Sequence, residues 1–97
     1  MAQTPEGKVK DAVKKILKRL NIYYFMPATG GYGRSGVPDI VCCMNGKFVA
    51  IECKAGLNQP TALQEREMKN IKDAGGAAVV INEGSVRGLA DLLRGLK

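Results

Sequence analysis

Apolar residues at helical spacing open the chain: Val9, Val13, Ile16, Leu17 and Leu20 recur at three- and four-residue steps and define one stripe. Thr4-Pro5-Glu6 precedes them as a helix start, with Thr4 as N-cap and Pro5 at the first helical position, where its missing N–H is no loss. Ile22 to Met26 is β-branched and aromatic and predicts a strand, and the glycine-rich stretch from Ala28 to Gly36 predicts a mobile loop. Val37 to Lys54, VPDIVCCMNGKFVAIECK, reads as two strands around Asn45-Gly46. After Gln59-Pro60-Thr61 a second helix is expected to about Ala74, closed by Gly75-Gly76. Ala77 to Ile81 is a short, wholly apolar strand, and a last helix from about Ser85 places Val86, Leu89, Leu93 and Leu96 on one face. The order is αβββαβα, an α/β chain in which helices flank a mixed sheet. With 97 residues and no internal repeat or linker, residues 1–97 are expected to form a single domain.

The hairpin carries charges where strand partners are usually apolar. A two-residue type I′ turn at Asn45-Gly46 pairs Met44 with Lys47 and Cys43 with Phe48 and, continued outward, sets Asp39 opposite Glu52. Lys54, two residues past Glu52, falls on that same face, while Ile40, Ile51, Cys42 and Val49 point to the other. The carboxylate face also carries Val41, Ala50, Cys43 and Phe48. Both faces are therefore expected to be buried along most of the hairpin, with the charged trio at its open end.

Two carboxylates so placed, about 5 Å apart at Cβ, repel by roughly 3 kcal/mol at an effective dielectric near 20. A divalent cation would offset that repulsion, and oxygen-only ligands suit magnesium or manganese better than zinc or copper. The plainer alternative is a salt-bridge cluster in which Lys54 pairs with both acids. Glu6 shares the stripe of the first helix, so it either points towards the sheet or serves only the helix dipole. Gln64 shares a stripe with Met68 and Ile71, and Thr61-x-x-Gln64 also fits a capping box.

Composition narrows the chemistry. A net charge of +6, with 45% hydrophobic and 25% charged residues, fits a globular protein with a basic surface and a polyanionic partner. Lys8, Lys10, Lys14, Lys15, Lys18 and Arg19 on the other side of the first helix read first as a solvated face. The absence of histidine excludes Ser-His-Asp and Cys-His machinery and leaves acid–base work to Asp, Glu, Lys or Tyr. Cys42, Cys43 and Cys53 are odd in number and lie in strands, which predicts reduced thiols; adjacent Cys42 and Cys43 point to opposite faces and make a poor zinc site. No signal-peptide pattern or membrane-length apolar run occurs, so a cytoplasmic protein without a membrane partner is expected, in the host cytoplasm if viral. Gly31-Tyr32-Gly33-Arg34-Ser35-Gly36 fits G-x-G-x-x-G, but Pro38 and a strand follow it where a dinucleotide site requires a helix, and no organic cofactor is expected. The stretch reads instead as a loop bordering the site, with Arg34 and Tyr32 as candidate contacts to a nucleic-acid backbone, or as an ordinary surface connection.

Pro38-Asp39 followed by Glu52-Cys53-Lys54, in an αβββαβ order with an acid in the first helix, resembles the PD-(D/E)XK nuclease superfamily. The short chain, the Gly-Val-Pro-Asp approach to the second strand and the Gln64 helix are similar to the VRR-NUC family, the virus-type replication-repair nucleases, over roughly Glu6 to Ile81. The resemblance implies a restriction-endonuclease-like core in which Asp39 and Glu52 bind Mg2+ or Mn2+, with the backbone carbonyl of Cys53 as a further ligand. It implies that Lys54 orients or activates the attacking water, that Glu6 reaches the metal directly or through water, and that Gln64 supports the site. Phosphodiester hydrolysis asks for such a set, because a divalent metal lowers the pKa of water and acts as a Lewis acid, while a lysine adds positive charge near the phosphate. Similarity to short viral members further implies a homodimer acting on branched DNA such as four-way (Holliday) junctions, two-fold symmetry setting two active sites on two strands. The apolar face of the last helix or exposed parts of the sheet would supply the interface, unless that helix face simply completes the core. The competing readings are a monomeric flap or nicking nuclease, and a basic DNA-binding module in which the three charges form only an ion cluster.

Overall fold

The computed structural model describes residues 3–28 and 34–96. Helix α1 (Pro5–Arg19) begins as the sequence predicts: Thr4 is extended, its Oγ1 accepts the Gly7 N–H at 3.0 Å, and Pro5 follows in the first turn. Strand β1 (Tyr23–Phe25) is shorter than expected. Strands β2 (Ile40–Met44) and β3 (Lys47–Cys53) flank the turn, in which Asn45 and Gly46 both take positive φ, 54° and 84°, as a type I′ hairpin requires. Helix α2 (Ala62–Asp73), strand β4 (Ala77–Ile81), a 3-10 turn at Val86–Gly88 and helix α3 (Leu89–Gly95) complete the chain. Among the described residues no helix is long and apolar enough to cross a membrane.

The four strands lie in sequence order, with β1–β2 and β2–β3 antiparallel and β3–β4 parallel across the α2 crossover. The hairpin register is the expected one: Met44 pairs with Lys47, Cys43 with Phe48 and Ile40 with Ile51. Alternation then divides the sheet. Ile40, Cys42, Val49, Ile51 and Cys53 pack with Ile81 against Val9, Val13 and Leu17 of α1 and Leu89 and Leu93 of α3. Val41, Ala50 and Ala78 face the opposite way, against Met68 of α2.

One expectation changes here. The apolar face of the last helix is not free, because Leu89 and Leu93 are fully buried in the chain's own core and Val86 and Leu96 pack against it. The hairpin is buried on both faces over most of its length, Ile40–Cys42 and Val49–Cys53, as expected; near the turn, beyond the reach of Met68 on α2, Cys43 and Phe48 remain exposed, as do Tyr23 and Phe25 on the edge strand. The rings of Tyr23 and Phe25 meet edge to face at 6.5 Å.

The expected mobile loop ends in a tight contact. Gly36 has φ 75°, and a Cβ built on it would lie 2.5 Å from the carbonyl oxygen of Leu63 in the first turn of α2. Residues 34–36 are thereby seated on α2, while residues 29–33 of that loop lie outside the described residues. Since Gly46 shares the positive φ but has open space around it, the two glycines separate conformational strain from steric contact. Gly46→Ala is expected to cost about 1–2 kcal/mol, the penalty of a left-handed alanine, and Gly36→Ala at least about 1 kcal/mol more, measured by urea denaturation.

Candidate functional site

The open end of the β2–β3 hairpin gathers the predicted residues from four elements. Asp39 immediately precedes β2, and because the ladder ends at Ile40 and Ile51 its side chain takes up the next position across from β3. Its Oδ2 accepts the Cys53 N–H at 2.8 Å, so the carboxylate stands where a further ladder partner would. Its Oδ1 faces Lys10 Nζ from α1 at 3.4 Å.

Glu52 is only 1% exposed. Its Oε1 accepts a hydrogen bond from Gln64 Nε2 at 3.0 Å, and its Oε2 is buried without a hydrogen-bond partner among the described residues. The two roles weighed for Gln64 prove compatible. Its Oε1 accepts the Thr61 N–H at 2.9 Å and its own N–H donates to Thr61 Oγ1 at 3.2 Å, closing the capping box, while the amide nitrogen is left to hold Glu52.

Burial, and then the neighbouring Asp39, push the Glu52 carboxyl up to about 8, partly opposed by Lys54 and Lys10. The cysteines respond to the same burial. Cys42 is raised to about 11 and Cys53 to about 12, so both free thiols stay protonated at neutral pH.

Lys54 lies beyond the end of β3, its amide donating to the Ile81 carbonyl at 3.0 Å. Its ammonium pairs with Glu6 Oε1 at 4.0 Å, not with Asp39 and Glu52 as the simple ion-cluster alternative supposed. Lysine and acid thus alternate across the gap between α1 and the sheet, Glu6 with Lys54 and Lys10 with Asp39. Among the described residues no group of three or more acidic or cysteine side chains forms a cage for a metal. The carboxylate set at the sheet is the pair Asp39 and Glu52, with Glu6 held off by Lys54.

Arg34 is brought close by a residue that the sequence did not flag. Glu67 on α2, 8% exposed, receives a bidentate pair from Arg34, Nε to Oε2 at 2.8 Å and Nη2 to Oε1 at 3.0 Å, which holds its carboxyl below the usual range. The Arg34 side chain nevertheless stays 72% exposed. Tyr32 lies outside the described residues. Lys10 was visible only as one of six basic residues, and its pairing with Asp39 between distant elements has no spacing signal in the sequence.

The arrangement suits a hard cation. A dipositive ion of the magnesium type keeps several waters and takes one or two carboxylates, and the buried, unpartnered Glu52 Oε2 beside Asp39 is the oxygen such an ion would satisfy. Comparison with known proteins bears on the fold. No family model matches the chain. Over 51 residues, 52% of this chain, it is 41% identical to a protein named "Putative nuclease p44" of Acyrthosiphon pisum secondary endosymbiont phage 1, and the match spans about half of that relative, 55% of its length. A solved structure described as a "VRR_NUC domain" superposes with a TM-score of 0.75 at 24% identity, over 92% of this chain and 97% of its own. The chain therefore has the restriction-endonuclease-like α/β fold of a VRR_NUC domain, a mixed four-stranded sheet flanked by helices, over nearly its whole length.

Proposed function

We propose that this chain is a divalent-metal-dependent DNA endonuclease of the VRR-NUC type, acting as a homodimer on branched DNA such as four-way junctions. The observation that carries the reading is the buried Glu52 carboxyl, with one oxygen unpartnered, facing the Asp39 side at the open end of the sheet. The fold shared with a VRR_NUC domain and the name of the phage relative agree with it.

Asp39, Glu52 and the Cys53 carbonyl would hold the ion, Mg2+ or Mn2+. When bound, it supplies a Lewis acid for the phosphate and a water of lowered pKa. The chain's own residues prepare the rest. The Cys53 N–H fixes one Asp39 oxygen and thereby aims the other, and Gln64 does the same for Glu52. Lys54, nine-tenths buried and steered by Glu6, presents a fixed positive charge at the mouth of the site, where it positions the attacking water or meets charge developing on the phosphate. Glu6 then acts through Lys54, or through a water on the metal, rather than as a direct ligand. Arg34, its fork anchored on Glu67, keeps an exposed edge for a phosphate.

A simple ion cluster would pair Lys54 with Asp39 and Glu52, whereas its ammonium pairs with Glu6 Oε1 at 4.0 Å. For the dimer, the exposed Tyr23, Phe25 and Phe48 offer an apolar surface that the last helix does not.

Labelled four-way junction, flap and linear duplex are expected to be cut only with Mg2+ or Mn2+, the junction most rapidly. Asp39→Ala and Lys54→Ala are each expected to lower the rate by about 10²-fold or more. Sedimentation under cleavage conditions is expected to give a dimer. Metal-independent cutting, or an unchanged rate in both variants, contradicts the nuclease mechanism, and a monomer contradicts the paired-site arrangement.

The raised Glu52 pKa sets a pH dependence in chelator. The folded chain keeps this proton up to about pH 8, whereas the unfolded chain releases it near the ordinary value of 4.5. Between these values the native state binds more protons, so stability is lost as pH rises through the window. Glu52→Gln is expected to flatten this fall, gaining stability relative to the wild type as pH rises above 4.5 in EDTA. Added Mg2+ is expected to stabilise the wild type and not the variant. Urea titrations across pH check both.

A further inference from the structure

We propose that Lys10 holds the place of the metal at Asp39 in the empty site and, once a divalent cation displaces it, becomes a contact to the DNA phosphate. This rests on the nuclease reading above and assigns a role to a residue outside the Asp39, Glu52, Lys54 set.

The geometry gives Lys10 little choice in the absence of metal. Asp39 Oδ2 is taken by the Cys53 N–H, and Lys10 Nζ lies 3.4 Å from the remaining oxygen, Oδ1. That oxygen is the one left to Asp39 for holding a cation. Both side chains are partly shielded, at 33% and 21% exposure, so the pair is less screened than a surface ion pair. A dipositive ion on Asp39 would repel the ammonium at this range, and the flexible lysine stem allows it to swing away without disturbing α1.

Glu6 and Asp11, the acids near Lys10 on its own helix, are already paired with Lys54 and Lys14, so a phosphate drawn to the metal is the anion left for the displaced ammonium. Lys10 is also the first of three lysines at i+4 steps, Lys10, Lys14 and Lys18, which rise along α1 away from the site by about 6 Å per step. Lys8, Lys15 and Arg19 form a separate, exposed stripe farther round the helix. The charge next to the site thus continues as a track for the strand that leaves it, whereas the outer charges have no such connection.

The test compares the wild type with Lys10→Met, Lys10→Arg and Lys15→Met. Mn2+ binding to the DNA-free protein, read by electron paramagnetic resonance, is expected to tighten on the order of tenfold in Lys10→Met, because a competing cation is gone. It is expected to stay at the wild-type value in Lys10→Arg and Lys15→Met. DNA binding is measured against salt, in Ca2+ and in EDTA. Lys10→Met is expected to reduce the slope of log affinity against log salt by about 0.9 in Ca2+, one phosphate's worth, and to leave it unchanged in EDTA, where Lys10 is occupied by Asp39. Equal or weaker Mn2+ affinity in Lys10→Met, or the same slope change with and without Ca2+, overturns the proposal while the nuclease reading stands. A wild-type protein that binds no Mn2+, or an Asp39→Ala variant that binds it as the wild type does, overturns both.

Discussion

A carboxyl group sealed into a protein without a partner for both its oxygens is costly, and the fold at this site is organised around one. Glu52 sits at the end of a central strand, with α2 on its face of the sheet, and the nearest acid repels it further. An apolar residue there would pack more favourably. The position makes physical sense if the buried oxygen is kept for a cation, with Gln64 and the Cys53 amide aiming the carboxylates in its absence.

The scaffold brings this about with few parts. The Asn45-Gly46 turn fixes which residues face one another, and ending the ladder one pair short of Asp39 frees that side chain to cap Cys53 instead of joining the sheet. The N-terminal ends of α1 and α2 both approach the same end of the hairpin. One delivers Glu6 and Lys10, the other Gln64, and helix N-termini are favourable surroundings for carboxylates. Gly36, too close to Leu63 to carry a side chain, together with the Arg34–Glu67 fork, ties the approach to Asp39 onto α2. The two halves of the carboxylate pair are thus held by one rigid frame.

Much of this was legible in the residues because it is local. Turn chemistry and period-two alternation placed Asp39, Glu52 and Lys54 at one end of one face, and the Thr61-x-x-Gln64 spacing found the helix start that also serves the site. What could not be read depends on contacts between distant segments. The Arg34–Glu67 pair joins residues 33 apart, and the Lys10–Asp39 pair links a helix to a strand's approach with no sequence signature of its own. Exposure of Cys43 and Phe48 follows from Met68 of α2 packing on Val41, Ala50 and Ala78 and not on the residues nearer the turn, which alternation alone does not decide. The burial of the last helix face likewise depends on α1 and α3 sharing one side of the sheet.

The central claim is that the buried carboxyl waits for a cation. Anomalous diffraction from crystals grown in Mn2+ tests it directly. The account requires a peak within coordination distance of Glu52 Oε2 and Asp39 Oδ1, with the Lys10 ammonium moved off the aspartate. A map without a peak there, with the Lys10–Asp39 and Lys54–Glu6 pairs intact and Glu52 Oε2 still unpartnered, would contradict it.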